Sequence, residues 1–155
     1  WLFLLSHYNG HMDEMENGLK QRLQEIYSAT TIEHILHPRN AESIPNADGF
    51  GACGSGCGES MKIWLRVQGD VVSNAGFWTD GCAATIACGS MATELAIGKS
   101  ASRAMAIAAQ DIAEALVDLP GGNLHCAELA ADTLRAALKD LLSVQQQPWK
   151  RLYRR

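Results

Sequence analysis

Three cysteines, each beside a turn or an element boundary, carry most of the chemistry available to this chain. They are Cys57 in Cys57-Gly58-Glu59, Cys82 in Gly81-Cys82 and Cys126 in His125-Cys126. An acid stands two residues after the first thiol and a histidine just before the last. Thiolates, a carboxylate and an imidazole make a donor set suited to iron or zinc. No single piece is a strong motif, so the pieces form a site only if folding brings them together. Thiolate, not thiol, binds metal, and placement decides how readily it forms. Cys82 and Cys126 are each expected at a helix N-terminus, where unpaired N–H groups and the helix dipole favour negative charge. Cys57 lies among Gly54, Gly56 and Gly58, whose backbone N–H groups can approach a bound cluster closely. Glu59 offers a hard oxygen and His125 an imidazole. Three thiols with such an exchangeable fourth ligand hold a cluster less firmly than four thiolates do. That suits a protein that builds and hands on a cluster better than one that keeps it for electron transfer.

The remaining cysteines and histidines are read more plainly. Cys88 is six residues after Cys82, about 240° around a helix, so it cannot share that face and is expected as a small buried hydrophobe. Cys53, four residues before Cys57, is expected to be buried in the same way or to join the site. His34 and His37 are expected at the surface. His7 and His11 fall in a leader, because Gly10-His11-Met12 reads as a cloning scar ahead of a start at Met12. The expected organisation is a leader over 1–11, one domain over 12–144 and a basic tail over 145–155, the last read as a solvated end.

The elements that must position these residues follow from periodicity. Leu19, Leu23 and Ile26 predict a helix from Asp13 to Tyr27, and a short one follows Thr30-Thr31 and stops at Pro38. Residues 38–58, rich in Gly, Asn, Ser and Pro, predict a long loop. Met61, Ile63, Leu65 and Val67 alternate with polar or amphipathic neighbours, predicting a strand, and Gln68-Gly69-Asp70 turns it into a partner strand over Val71 to Thr79. Helices are predicted from Cys82 to Ile97, Ser102 to Leu116 and Cys126 to Leu142, the last two separated by Pro120-Gly121-Gly122. The expected architecture is α+β, a two-layer domain with a small antiparallel sheet packed against helices.

Composition narrows the function classes. With 155 residues, 47% of them apolar and 19% charged, the chain suits one globular domain with a real core. A formal charge of −4 gives no reason to expect nucleic acid as a partner, and no apolar run reaches the roughly 20 residues that span a bilayer. Without a recognisable export signal a cytoplasmic location is expected. Five cysteines in a reducing compartment point to metal or thiol chemistry rather than disulfides. No Ser-His-Asp or Cys-His pair stands in a recognisable catalytic motif, so the chain is not expected to be an enzyme.

The chain resembles the IscU/NifU-type iron–sulfur cluster assembly scaffold family, the NifU N-terminal-like domain. The resemblance runs from Tyr27 to about Leu142. It is carried by Tyr27-Ser28, His37-Pro38-Arg39-Asn40, the segment Ala52 to Met61, Gly81-Cys82-Ala83-Ala84-Thr85-Ile86-Ala87, Thr93-Glu94, Gly98-Lys99, Leu124-His125-Cys126 and Leu129-Ala130. It implies that Cys57, Cys82 and Cys126 cluster at one end of the molecule, take sulfur from a cysteine desulfurase, bind iron and assemble a transient [2Fe–2S] cluster for apo iron–sulfur proteins. Glu59 stands where the family usually has aspartate, and His125 matches a histidine that can serve as a ligand, so the implied metal set is Cys57, Glu59, Cys82, His125 and Cys126. The resemblance also implies that zinc can occupy the site in the isolated protein. Two departures are visible. Leu119-Pro120-Gly121-Gly122-Asn123 replaces the segment read by a dedicated Hsp70-type chaperone, so that partnership does not carry over; Cys53 and Cys88 are extra. The alternative reading is a zinc-bound sulfur-transfer protein that accepts persulfide. The zinc-containing branch of the superfamily carries an insertion between the second and third ligand cysteines, for which the spacing from Cys82 to Cys126 leaves no room.

Overall fold

Alternation along Met61 to Val67 does what a period of two requires. Met61, Ile63 and Leu65 are fully buried while Lys62 and Arg66 face solvent. The computed structural model describes residues 2–153, and this strand is its centre. Among those residues the order is α1 (Leu2–Gln24), α2 (Ala29–Leu36), β1 (Gly49–Gly54), β2 (Ser60–Gln68), β3 (Val71–Thr79), α3 (Ala83–Ala96), α4 (Ala101–Met105), α5 (Ala109–Ala115) and α6 (Leu124–Gln146), with 3-10 turns at Gly121–Asn123 and Pro148–Tyr153. The three strands form one antiparallel sheet in the order β1-β2-β3. The core lies between one face of this sheet and the helices. Ile63, Leu65, Val72 and Phe77 from the strands meet Ala87 and Ala92 of α3 and Leu134, Leu138 and Leu141 of α6. The fold is therefore the expected α+β arrangement, two layers deep. No helix among the described residues is long and apolar enough to cross a membrane.

The first helix runs Leu2–Gln24 and not Asp13 to Tyr27, and three further local readings differ from expectation. The segment 38–58 is not all loop, because Gly49–Gly54 forms β1, paired Gly49 with Leu65 through Gly54 with Ser60. Its glycines mark close approach, not a turn. A Cβ on Gly51 would lie 2.5 Å from Ala137 N and 2.6 Å from Thr133 O, and one on Gly49 would lie 2.6 Å from Ala137 O. The strand backbone thus rests directly on the α6 backbone, which only residues without a side chain allow. The expected helix from Ser102 to Leu116 is two helices. Asp111 accepts the Ala108 N–H at 2.8 Å and starts α5, while Ile107 between the two is buried.

The third correction concerns His34, which is 2% exposed and not a surface residue. Its Nε2 accepts from the Arg39 guanidinium at 2.7 Å, so its Nδ1–H donates to Ser90 Oγ at 2.7 Å. The Arg39 backbone N–H donates to the same Ser90 oxygen at 2.8 Å. This seam joins α2 and the turn after it to α3. Burial and the Arg39 charge hold His34 below its ordinary pKa, with Glu94 and Glu33 opposing. His37 is exposed, as expected, with Glu16 at 3.6 Å.

Two predictions follow from these contacts. Gly51→Ala forces a methyl into the α6 backbone and is expected to cost about 1–3 kcal/mol in urea unfolding, the usual range for overpacking; a cost near zero would contradict the close approach. His34 takes a proton in the unfolded chain near pH 6.5 but only lower when folded, so the unfolded state binds more protons between those values. Its contribution is present above about pH 6.5 and lost as pH falls below it. The stability of the native chain should therefore drop more steeply from pH 7 to 5 than that of His34→Asn, by up to about 1.4 kcal/mol per unit. Equal slopes would mean His34 titrates alike in both states.

Candidate functional site

The hairpin between β1 and β2 carries Cys57. The Ser55 N–H donates to the Glu59 carbonyl at 2.7 Å, and the Gly58 N–H to the Ser55 carbonyl at 3.2 Å. Gly58 takes φ +88°, a left-handed conformation that favours glycine at this turn. Cys57 is exposed, with Sγ 3.4 Å from Ser55 Oγ.

Cys82 arrives at the same end of the sheet, just beyond β3, whose last residue Thr79 pairs with Met61 at the start of β2. The Thr79 hydroxyl donates to the Ser60 carbonyl at 2.7 Å, and Asp80 accepts from the Ser60 N–H at 2.7 Å and its hydroxyl at 2.9 Å. These bonds set the turn after β3 beside Glu59. Cys82 is the N-cap of α3 but makes no side-chain cap bond. Glu59 supplies it instead: one carboxylate oxygen accepts the Cys82 N–H at 3.1 Å and the other accepts the Thr85 hydroxyl at 2.9 Å. An anion is favoured there because the first N–H groups of a helix are unpaired and carry partial positive charge. Burial works to raise the Glu59 pKa, but these hydrogen bonds, with His125 nearby, outweigh it and hold the carboxyl below its ordinary value.

Cys126 is the third residue of α6, which begins at Leu124 after the 3-10 turn, slightly earlier than expected. It is fully buried, with Sγ 3.4 Å from His125 Nε2. Burial pushes its thiol up to about 11; the Thr85 hydroxyl opposes this, and Cys82 and Glu59 reinforce it. The thiol is protonated at neutral pH, so a metal binding there displaces a proton.

The fold brings all five expected residues together. Donor atoms of Cys57, Glu59 and His125 lie within 4.8 Å of one another, and so do those of Glu59, Cys82 and Cys126. Glu59 belongs to both groups and joins them into one centre. Thiolate sulfur, carboxylate oxygen and imidazole nitrogen at these spacings fit iron or zinc. Cys53 belongs to neither group. It is half-buried and lines a groove of about 480 Å³ beside Cys57, His125, Glu128 and Asp132. Cys88 lies in the core, where burial raises its thiol pKa well above the ordinary range. Thr85 is the residue that the sequence reading missed as part of the site. The available signal was its spacing, three residues after Cys82 and so on the same helical face.

The α+β domain gathers three thiols, a carboxylate and an imidazole at one end, a donor set that fits a metal ion. The chain belongs to the NifU-like N-terminal domain family, whose model matches residues 26–147. It is similar to the protein named iron-sulfur cluster assembly scaffold protein IscU 1 of Archaeoglobus fulgidus, 44% identical over 116 residues that cover 74% of this chain and 76% of that one. The scaffold protein IscU of Escherichia coli K12 is 40% identical over 125 residues, covering 77% of this chain and 97% of the relative. Among solved structures, a nitrogen-fixing NifU-like protein (N-terminal) from Brucella abortus superposes with a TM-score of 0.64 at 16% identity, over 78% of this chain and 97% of its own. That last likeness concerns the fold alone.

Exposure sets an order of thiol reactivity. In reduced, metal-free protein, iodoacetamide should label Cys57 and Cys82 first and Cys53 more slowly, and should reach Cys126 and Cys88 only on unfolding, as read by peptide mass spectrometry. Labelling of Cys126 or Cys88 as fast as Cys57 would contradict the buried placement.

Proposed function

We propose that this chain is an iron–sulfur cluster assembly scaffold, with the cluster as cargo and not as a resident cofactor. The observation that carries this reading is the overlap of two donor groups through Glu59. A centre with two adjacent sets, each holding at least one thiol, can receive two iron ions side by side and sulfur between them. Cys57 and Cys82 are exposed, which suits thiols that meet a protein sulfur donor directly, while buried Cys126 anchors the inner side. The scaffold names of relatives at about 40% identity support the same role. In this reading Cys57, Cys82 and Cys126 hold a [2Fe–2S] cluster with Glu59 or His125 as the fourth ligand. A cysteine desulfurase supplies the sulfur, and apo iron–sulfur proteins receive the product. Mixed ligation keeps the cluster transferable, because an oxygen or nitrogen donor yields to an incoming thiolate more readily than sulfur does.

The test is an anaerobic reconstitution with ferrous iron, cysteine and a cysteine desulfurase, followed by visible circular dichroism, with apo-ferredoxin added afterwards. A cluster signal should form and then move to the ferredoxin. Cys57→Ser and Cys82→Ser should each lose cluster retention with little change in helix content, and Cys88→Ser should be nearly silent. A normal cluster on either of the first two variants would remove the ligand assignment. Persulfide formation around an unmoved zinc ion, without a cluster, would favour sulfur transfer as the function.

A further inference from the structure

We infer that Thr85 is the positioning residue for the Glu59 carboxylate, fixing it between the two donor groups so that it can serve either. This inference rests on the ligand reading above. Thr85 is fully buried although it carries a hydroxyl, and that hydroxyl is 2.9 Å from one Glu59 oxygen and 3.4 Å from Cys82 Sγ. A threonine hydroxyl has one proton and two lone pairs. The proton goes to the carboxylate at the shorter distance, which leaves the lone pairs facing the thiol.

The consequence is geometric. A glutamate at the end of a hairpin loop has three rotatable side-chain bonds and, unrestrained, samples many positions. Here Cys82 N–H holds one oxygen and Thr85 holds the other, so the carboxylate plane is set by two bonds from one helix turn. Each oxygen keeps a further lone pair free for a metal. Without the Thr85 hydroxyl, only the Cys82 bond remains, and the carboxylate can turn about it. Partners that orient a ligating carboxylate are typically worth about 10–100-fold in metal affinity. Thr85 lies at the third helical position after Cys82, so its hydroxyl and the Cys82 N–H move together as α3 moves.

The test uses Co²⁺ alone as the probe, titrated anaerobically into the full reduced chain, with visible absorption reporting thiolate and oxygen ligation. Thr85→Val, which keeps the shape and removes the hydroxyl, should weaken Co²⁺ binding about 10–100-fold. Thr85→Ser should restore wild-type binding. In a Glu59→Ala background, Thr85→Val should cause a clearly smaller further loss, because the hydroxyl then keeps only its contacts with the Cys82 and Cys126 sulfurs. Far-ultraviolet circular dichroism checks the fold, and Thr85→Ala repeats the test should valine perturb it. Wild-type affinity in both hydroxyl-free variants, while Cys82→Ser is impaired, would overturn this inference and leave the ligand reading standing. An equal loss with and without the Glu59 carboxylate would also overturn it, since Thr85 would then act through packing or through the Cys82 and Cys126 thiols. Wild-type affinity in Cys82→Ser would overturn the ligand reading, and this inference with it.

Discussion

The backbone of β1 lying against the backbone of α6 is the constraint from which the site follows. Gly49 sits over Ala137 and Leu141, and Gly51 over Ala137 and Thr133, so the strand runs antiparallel to the helix and toward its N-terminus. The chain leaving β1 at Gly54 therefore arrives near the start of α6, where His125 and Cys126 stand. Cys57, three residues beyond the strand, meets His125 at the rim of one groove. A side chain at either glycine would lift the strand off the helix and carry the hairpin tip with it. Packing at the far end of the sheet thus sets distances at the thiols.

Polar bonds then fix what packing brings near. Ser60 is held by both Asp80 and Thr79, so the start of β2 and the turn before α3 move as one piece. Glu59 completes that piece by capping α3 from outside. The carboxylate thereby has two roles in one position, closing a helix end and offering oxygen to a metal, and both favour its ionised form. Cys126 is the opposite case, a thiol kept protonated by burial until a cation replaces its proton. The site joins exposed and buried donors, and the shared carboxylate bridges them.

Much of this was legible in the sequence, and what was not has physical causes. The hairpin of β2 and β3 was visible because one face is buried and the other wet, which writes a period of two into the residues. The helices over 82–97 and 126–142 were visible from their apolar spacing. β1 was hidden because its inward positions are Gly49, Gly51 and Cys53, chosen for closeness and not for apolar bulk. The break between α4 and α5 was hidden because no glycine or proline marks it; a carboxylate three residues later does. His34 was hidden because its partners, Arg39 and Ser90, lie on separate segments. The five expected site residues could be named from three dispersed thiol motifs and a family resemblance, yet their division into two groups sharing Glu59 is a property of the fold. Thr85 shows the same limit: a threonine in a helix carries no sign that a glutamate 26 residues away needs its proton.

The central claim is that one mixed centre joins thiols to a shared carboxylate, and the zinc-loaded protein tests it most directly. X-ray absorption at the zinc edge counts sulfur against oxygen and nitrogen around the ion. The account predicts both kinds of donor in one shell, with sulfur distances near 2.3 Å and oxygen or nitrogen distances near 2.0–2.2 Å. A shell of four sulfurs would require Cys53 or Cys88 as a ligand, and a shell without sulfur would remove the thiols from the site. Either result would contradict the account.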